Sequence, residues 1–251
     1  MTARIVGTRV VAILGFLLLW ELSARARVYG PSLSVPPSAI AAHLWMRVGS
    51  GALTADAART GFEIGAAFLT GCAIGLPLGV VLWRSPLLAA VVEPYLLAYY
   101  AIPVFAFYPL FIVLFGSGPT PIIAIGALAA IGAIVANTLV GLRAIPRVYL
   151  AVGIALSLRR AQMVRHVIVP AIVPQLFVGL KLGFIYSLIG VVAAEFILAT
   201  AGLGYQVSFH YNNFESRDMF AAMVTVIALS IASYVALSWI EARLARHRTA
   251  R

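Results

Sequence analysis

Long apolar runs, separated by short charged stretches, dominate this chain of 251 residues. A membrane-spanning helix needs roughly 20 predominantly apolar residues, and six segments meet or approach that length. They are residues 10–24, 61–83, 96–115, 121–142, 172–199 and 220–240. Pro103 and Pro109 interrupt the third segment. The pattern predicts an all-α integral membrane protein with about six transmembrane helices in a single domain, 1–251.

The composition supports a membrane setting. Hydrophobic residues make up 63% of the chain and charged residues only 10%, whereas a soluble domain carries about 25% charged residues. A net charge of +10 on a soluble protein would suggest nucleic acid. In a chain this apolar, the positive charge instead indicates cytoplasmic loops. We therefore expect the protein to lie in a lipid bilayer, and we expect no nucleic-acid partner.

The distribution of arginine predicts the orientation. With the N-terminus inside, 12 of the 17 Arg residues fall in cytoplasmic segments and 5 fall outside, as the positive-inside rule requires. Both termini and residues 151–170 are therefore predicted to be cytoplasmic, which requires an even number of spans. The first span lacks a cleavage site after its apolar core, so we interpret it as a retained anchor.

A long outer segment, 26–60, follows the first span. Pro36 and Pro37 lead into a helix predicted at 38–48, with Ser38 as a candidate N-cap. We expect this helix to lie on the membrane surface or against the bundle.

Glycines four residues apart mark the second span: Gly61, Gly65, Gly71, Gly75 and Gly79. Small residues at this spacing let helix backbones approach closely in lipid. The pattern fits internal packing, and it also fits a subunit interface.

A basic, partly amphipathic segment lies between the fourth and fifth spans. Residues 151–170 read AVGIALSLRRAQMVRHVIVP, with three arginines and a predicted end at Pro170. The chain contains no G-x-x-x-x-G-K-[ST] motif and so lacks the usual phosphate cradle for ATP. Energy must therefore come from a partner, from an ion gradient, or from neither, and this cytoplasmic insert is where a partner would dock.

Several motifs, in order, resemble those of a known family. They are PPSAI at 36–40, AIP at 101–103, YPL at 108–110, FGSG at 115–118, NTLVGLR at 137–143, GVVAAE at 190–195 and GLGY at 202–205. With them the chain resembles the permease subunits of binding-protein-dependent ABC importers, in the branch that carries nitrate, sulfonates and taurine. The resemblance covers residues 31 to the end.

The resemblance implies a type I ABC importer permease architecture, with a coupling helix in the cytoplasmic segment 143–170. It implies a cytoplasmic ATPase dimer that binds ATP and Mg, so no cofactor is expected in this chain. It also implies a periplasmic binding protein, a second permease copy or a related permease, and a location in the bacterial inner membrane. Transport would follow an alternating-access mechanism.

The cytoplasmic segment departs from the family pattern. Ala151 stands where the family has Glu, Val152 and Gly153 stand at its two Ala positions, and Ser157 stands at its Gly position. A short helix–turn–helix should still fill a groove on the ATPase. Three explanations stay open: a heterodimer with a more typical permease, a homodimer with an adapted ATPase, or inactive docking. The predicted coupling residues are Ala151, Leu156, Ser157, Arg159, Arg160, Val164, Arg165 and Pro170.

An aromatic cluster surrounds the prolines of the third span. Two interpretations stay open: the cluster packs in the protein core, or it lines the translocation path. The candidate residues for the path are Tyr99, Tyr100, Phe105, Phe107, Tyr186 and Glu195. The solute is expected to be a sulfonate, taurine, nitrate or a similar small anion; the alternative is an aromatic or vitamin-precursor solute, which suits a cluster with few cations. Outer-loop contacts are expected at Gly202, Gly204, Tyr205 and His210.

Intramembrane charges are further candidates. Lys181 and Glu195 share a face of the fifth span but are too far apart to pair, and an architectural role is predicted for Lys181. The four histidines show no metal-ligand spacing and no nucleophile–base arrangement is visible, so no metal site and no enzyme activity are expected. A gradient-driven secondary transporter and a membrane enzyme are the competing classes.

Overall fold

Each regular element that the structure describes is a helix. The structure is a computed structural model that describes residues 2–28, 30, 34–99 and 102–249. The elements in chain order are α1 (Thr2–Arg25), α2 (Pro37–Gly49), α3 (Thr54–Arg84), α4 (Pro86–Tyr99), a 3₁₀ turn (Val104–Phe107), α5 (Tyr108–Phe115), α6 (Pro119–Arg143), α7 (Arg147–Ala155), α8 (Arg160–Met163), a π-helical turn (Val164–Ile168), α9 (Val169–Leu198), α10 (Leu203–Asn212) and α11 (Ser216–Thr249).

The chain divides into two compact units. One consists of Met1–Arg59 and Glu195–Ala228, and the other consists of Thr60–Ala194 and Leu229–Arg251. The first unit contains α1, α2 and α10, and the second contains α4 to α8. The predicted outer-loop residues belong to the first unit, whereas the predicted coupling residues belong to the second.

Five of the described helices are long and apolar enough to cross a membrane. They correspond to the predicted spans one, two, four, five and six. The third segment, predicted at 96–115 with interruptions at Pro103 and Pro109, is not one long helix, because the described residues 102 and 103 are not helical. Proline lacks a backbone N–H and breaks a helix interior, and Pro103 has extended backbone at the break. The short apolar helix Val104–Phe115 lies within the predicted range, whereas the other short apolar stretch, Pro86–Leu96 within α4, ends at the first residue of that range.

Helix α6 is the most buried of the five long helices, and glycines on α3 let it pack closely. An ideal Cβ built on Gly71 would lie 2.9 Å from Ala130 Cβ, and one on Gly79 would lie 2.6 Å from Thr138 Cβ. Gly75 meets Ile134 in the same way. The four-residue register on α3 thus matches a four-residue register on α6, and internal packing explains these three glycines.

Two other glycines of the same pattern have open space around them. Among the described residues, no atom other than the chain neighbours and the local helix backbone lies within 4 Å of an ideal Cβ on Gly61 or Gly65. Internal packing therefore does not account for these two positions.

Glycines on α9 also pack closely against α6, on a face that shares Ile134 with the α3 contact. An ideal Cβ on Gly179 would lie 2.6 Å from Asn137 Cβ, and one on Gly183 would lie 2.6 Å from Ile134. Gln175 of α9 donates a hydrogen bond of 2.9 Å to Asn137 Oδ1. The Gln175–Asn137 hydrogen bond thus joins α9 to α6 beside the glycine contacts.

The helix predicted at 38–48 is confirmed as α2, Pro37–Gly49. The prediction that Ser38 caps it was wrong, because the helix begins one residue earlier and Pro36 is the N-cap residue. Ser38 instead binds Glu21 of α1: its hydroxyl donates to Oε1 at 2.7 Å and its backbone N–H donates to Oε2 at 3.1 Å. These bonds join α1 to α2.

The glycine register yields a matched pair of variants. Gly79→Ala would place Cβ against Thr138, and overpacking of this kind costs about 1–3 kcal/mol. Gly61→Ala adds the same methyl group on the same helix in open space, with the same gain in helix propensity. We expect Gly79→Ala to lower the thermal midpoint of the detergent-purified protein by several degrees relative to Gly61→Ala. Equal midpoints would contradict the packing described for α3 and α6.

Candidate functional site

A cavity of about 160 Å³ lies beside the break between α4 and α5. Three aromatic residues contribute to its wall: Tyr99 at the end of α4, Phe105 in the 3₁₀ turn, and Tyr186 on α9. Ala129 of α6, Ile189 and Gly190 of α9, and residues 102–104 complete the lining. The nine described lining residues carry no charged side chain, so the wall is apolar and aromatic.

The Tyr99 ring is fixed in this wall. An ideal Cβ on Gly132 would lie 2.7 Å from Tyr99 Cδ1, so only glycine leaves room for the ring there. The Tyr99 hydroxyl donates a hydrogen bond to the backbone carbonyl of Leu128 on α6. The hydroxyl is therefore satisfied by α6.

Of the other predicted path residues, Phe107 and Glu195 do not line this cavity. Tyr100 lies outside the described residues. Phe107 is partly exposed and is not among the lining residues. Glu195 is fully buried in the first compact unit, where it binds the outer loop.

The loop at Gly202, which the sequence predicts to be an outer loop, and helix α10 are held by two carboxylates. Glu195 Oε2 accepts the backbone N–H of Gly204 at 2.8 Å, and Asp56 Oδ1 accepts the backbone N–H of Gly202 at 2.8 Å. The Gln206 amide also donates to Asp56, at 2.7 Å. Carboxylates at a helix N-terminus accept hydrogen bonds from its free N–H groups, and their negative charge interacts favourably with the helix dipole. The roles of Asp56 and Gln206 were not predicted. Asp56 and Gly202 are 146 residues apart, and no local sequence pattern indicates a contact at that separation.

Gly202 is required at this loop for two reasons. Its φ of +109° is a conformation that residues with a side chain rarely adopt, and an ideal Cβ would lie 2.3 Å from Glu195 Oε1. Tyr205, on the first turn of α10, packs against Phe209 with ring centroids 5.7 Å apart. The GLGY motif thus positions α10 through backbone contacts.

A polar cluster in the first unit surrounds Asp218 of α11. His43 Nε2 lies 3.0 Å from Asp218 Oδ1, and Arg47 Nη1 lies 3.2 Å from the same oxygen. His210, which is buried, places Nδ1 2.6 Å from Glu215 Oε2. The histidines show no metal-ligand spacing in the sequence, but folding brings His210, Glu215 and Asp218 close enough to share an ion. Because Arg47 already neutralises Asp218, the cluster is stable as an ion-pair network.

The turn between α7 and α8, which the sequence predicts to be cytoplasmic, is built as a Schellman motif at the end of α7. Leu158 N–H donates to the Gly153 carbonyl at 3.0 Å, and Ser157 N–H donates to the Ile154 carbonyl at 2.8 Å. Ser157 is left-handed, with φ of 51°, in the position that usually holds glycine in this motif. The family's glycine position and the structure's left-handed residue therefore coincide, although this chain has serine there.

Gly153 closes the turn against α8. An ideal Cβ on Gly153 would lie 2.5 Å from Met163 Cε, so the absence of a side chain lets Met163 pack under α7. The N–H of Arg159 donates to Gln162 Oε1 at 2.9 Å and caps α8. The predicted helix–turn–helix is present, and the Gly153–Met163 contact is a part of it that was not predicted.

The prediction that the segment ends at Pro170 was wrong. Helical backbone continues from Arg160 through the π-helical turn into α9. In a regular α-helix a proline clashes with the carbonyl four residues earlier. The π-helical turn that precedes Pro170, in which Val169 N–H bonds to the Val164 carbonyl, widens the backbone at that point. Pro170 then occupies the first turn of α9.

The predicted coupling residues are on the surface. Ala151, Leu156, Ser157, Arg159, Arg160, Val164, Arg165 and Pro170 are all exposed. Val148, Val152 and Leu156 are four residues apart on one face, with exposed fractions of 67%, 51% and 67%. The turn therefore presents apolar side chains beside arginines.

Lys181 has a partner other than Glu195. Its ammonium binds Glu241 of α11 and lies 5.7 Å from the centre of the Tyr234 ring. Arg143, at the end of α6, forms a second ion pair with Glu93 of α4. Both pairs join helices of the second unit.

Known proteins with similar sequences extend this description. A family profile described as the inner membrane component of binding-protein-dependent transport systems matches residues 71–249. The riboflavin transport system permease protein RibX of Chloroflexus aurantiacus is 30% identical over 242 residues, covering 94% of this chain and 88% of that protein. The taurine transport system permease protein TauC of Escherichia coli is 28% identical over 218 residues, covering 85% and 79%.

A solved structure shows the same fold. The MetNI methionine ABC transporter, in an inward-facing conformation, matches with a TM-score of 0.63 at 22% identity, covering 78% of this chain and 95% of the matched chain. The helices described above therefore have the type I ABC importer permease architecture.

The fold and these sequence relationships define a multi-pass inner-membrane transport subunit. The chain belongs to the family of binding-protein-dependent transport system inner membrane components, in the branch of ABC importer permeases that includes taurine and nitrate permeases. It is a permease subunit and not an enzyme. The secondary transporter and the membrane enzyme are thereby excluded as classes.

The left-handed serine of the cytoplasmic turn yields a test. Ser157→Gly removes the steric penalty of a left-handed residue with a side chain, about 1 kcal/mol. We expect the amides of Ser157 and Leu158 to exchange their hydrogens about fivefold more slowly in the variant. Ala155→Gly, two residues earlier in α7, should speed that exchange. Faster exchange in Ser157→Gly would contradict the Schellman geometry.

Proposed function

We propose that this chain is the transmembrane permease subunit of an ATP-driven importer. It moves a small solute from a periplasmic binding protein to the cytoplasm by alternating access. The observation that carries the proposal is the exposed apolar face of Val148, Val152 and Leu156 on the arginine-rich turn between α6 and α9. Family membership implies an ATPase and a binding protein as partners, and this face is where the ATPase would bind.

Two physical arguments support docking at this turn. Arginine side chains are costly to bury in hydrocarbon, so the turn does not lie in the bilayer core. Lipid therefore does not cover its exposed apolar side chains. Large apolar side chains grouped in an aqueous setting mark protein interaction sites. A protein groove is therefore the environment in which both the apolar face and the arginines are satisfied.

Charge complementarity supports a particular kind of groove. No Asp or Glu occurs between Glu93 and Glu195 in the sequence, so the turn is purely cationic. The acidic position of the family motif is occupied by Ala151. An ATPase that fits this surface would place carboxylates around an apolar groove, near Arg159 and Arg160.

The proposed assembly contains two permeases and an ATPase dimer. The second permease is another copy of this chain or a related permease with the full acidic motif. ATP and Mg are bound by the ATPase, and closure of its dimer would draw two cytoplasmic turns together. Because the turn is continuous with α9 through the π-helical segment, its movement would reach the cavity wall at Tyr186.

The proposed orientation follows from this docking. The turn must face the cytoplasm to reach an ATPase, and the arginine distribution predicts that side and places both termini with it. The two short helices at the α4–α5 break would complete the even number of crossings that this topology needs. Helix α10, held by Glu195 and Asp56, would then face the periplasm and contact the binding protein through Tyr205. The predicted contact at His210 is not available on the surface, because that side chain is buried.

The solute is proposed to pass through the cavity at the α4–α5 break. Tyr99, Phe105 and Tyr186 line it, with Tyr100 adjacent in sequence. Relatives are named for taurine, nitrate and riboflavin transport, which spans small anions and an aromatic vitamin. Both solute classes predicted from the sequence therefore have relatives that bear their names.

Substitution of the apolar anchor tests the docking surface. Leu156→Asp places a carboxylate at the centre of the proposed contact, where buried apolar anchors dominate binding. Arg159→Ala removes a rim charge that contributes about 0–1 kcal/mol. We expect Leu156→Asp to reduce co-purification of the ATPase with the tagged permease at least tenfold, and Arg159→Ala to reduce it less than fivefold.

Leu114→Asp serves as the control for insertion of a carboxylate at an exposed apolar position on α5, where Leu114 is 62% exposed. In this control variant, the amount of ATPase that co-purifies per membrane-inserted permease should be unchanged. If Leu156→Asp retains normal amounts of ATPase and normal stimulated turnover, the ATPase docks elsewhere.

A further inference from the structure

We propose that the cavity at the α4–α5 break is a solute site for a neutral solute that presents a single aromatic ring. This inference rests on the proposed function, because it assumes that the solute passes this cavity. It chooses between the two solute classes that the sequence left open.

The size of the cavity fits one ring. Its volume is about 160 Å³, and an engineered apolar cavity of about 150 Å³ in another protein binds benzene. A single six-membered ring is therefore the occupant that this volume supports.

The lining favours an aromatic ring over an apolar group of another shape. Tyr99, Phe105 and Tyr186 line a shared space, and aromatic rings interact with one another more favourably than their buried area alone accounts for. Tyr99 is held by Gly132 and by its bond to Leu128. One wall of the cavity is thus preorganised, which lowers the entropic loss on binding.

The same lining disfavours an anion. None of the nine described lining residues has a charged side chain. Transfer of a nitrate or sulfonate group from water into such a wall loses hydration without a compensating ion pair. Anion sites in proteins usually provide Arg, Lys or converging N–H donors.

Direct binding to the full-length permease in lipid nanodiscs tests the proposal. The probes are nicotinamide, cyclohexanecarboxamide, taurine and nitrate, each measured by equilibrium dialysis with empty nanodiscs as the blank. Nicotinamide and cyclohexanecarboxamide both carry a carboxamide on a six-membered ring, and only nicotinamide has an aromatic face. We expect saturable binding of nicotinamide, at least fivefold weaker binding of cyclohexanecarboxamide, and no saturable binding of taurine or nitrate.

Variants locate the binding. Ala129→Leu fills the cavity from α6, and Phe105→Ala removes one ring at the partly exposed 3₁₀ turn, where the loss of packing is small. Each should weaken nicotinamide binding at least fivefold. Phe62→Ala, at a 65% exposed position on α3 outside the cavity, should leave it unchanged.

Three results would overturn the proposal: no saturable nicotinamide binding, equal binding of the two carboxamides, or nicotinamide binding that both cavity variants leave unchanged. Saturable taurine or nitrate binding that Ala129→Leu abolishes would also overturn it and assign the cavity to an anion. None of these results bears on ATPase docking, which the Leu156→Asp experiment tests separately.

Discussion

Close approach of α3 and α9 to α6 is the packing on which the described transmembrane structure depends. In lipid, no hydrophobic driving force holds apolar helices together, so contact distance and side-chain interlocking must do so. Gly71, Gly75 and Gly79 bring α3 onto one side of α6, and Gly179 and Gly183 bring α9 onto another. Loss of these contacts would move the helices that form the cavity and carry the cytoplasmic turn.

The cavity is a consequence of that packing and of the proline break. Gly190 of α9 packs against Gly126 and Ala129 of α6, which fixes the distance between two cavity walls. The break before Pro103 then turns the chain so that Phe105 completes the lining. Irregular backbone at membrane depth is tolerated where it is buried in protein or lines a cavity, and this segment does the latter.

Periodicity and composition predicted most of the fold but little of the site. The spans follow from long apolar runs, and the outer helix follows from its prolines. The break in the third span was visible as Pro103 and Pro109, but its size depends on how α4 and α5 repack. The Asp56–Gly202 bond joins residues 146 apart, and no local pattern encodes such a contact. The helix–turn–helix in residues 151–170 was predicted from residue type, spacing and the family resemblance, whereas the left-handed Ser157 is visible only in the backbone.

The central claim is that the cationic turn between α6 and α9 binds a separate ATPase. Photocrosslinking in living cells measures this contact without prior identification of the partner. A photoreactive phenylalanine analogue at Val152, on the exposed apolar face, should form an adduct whose tryptic peptides include a Walker A sequence. The same analogue at Val113, which is 83% exposed on α5, should form none. Failure of the Val152 position to capture an ATPase, or equal capture from Val113, would contradict the account.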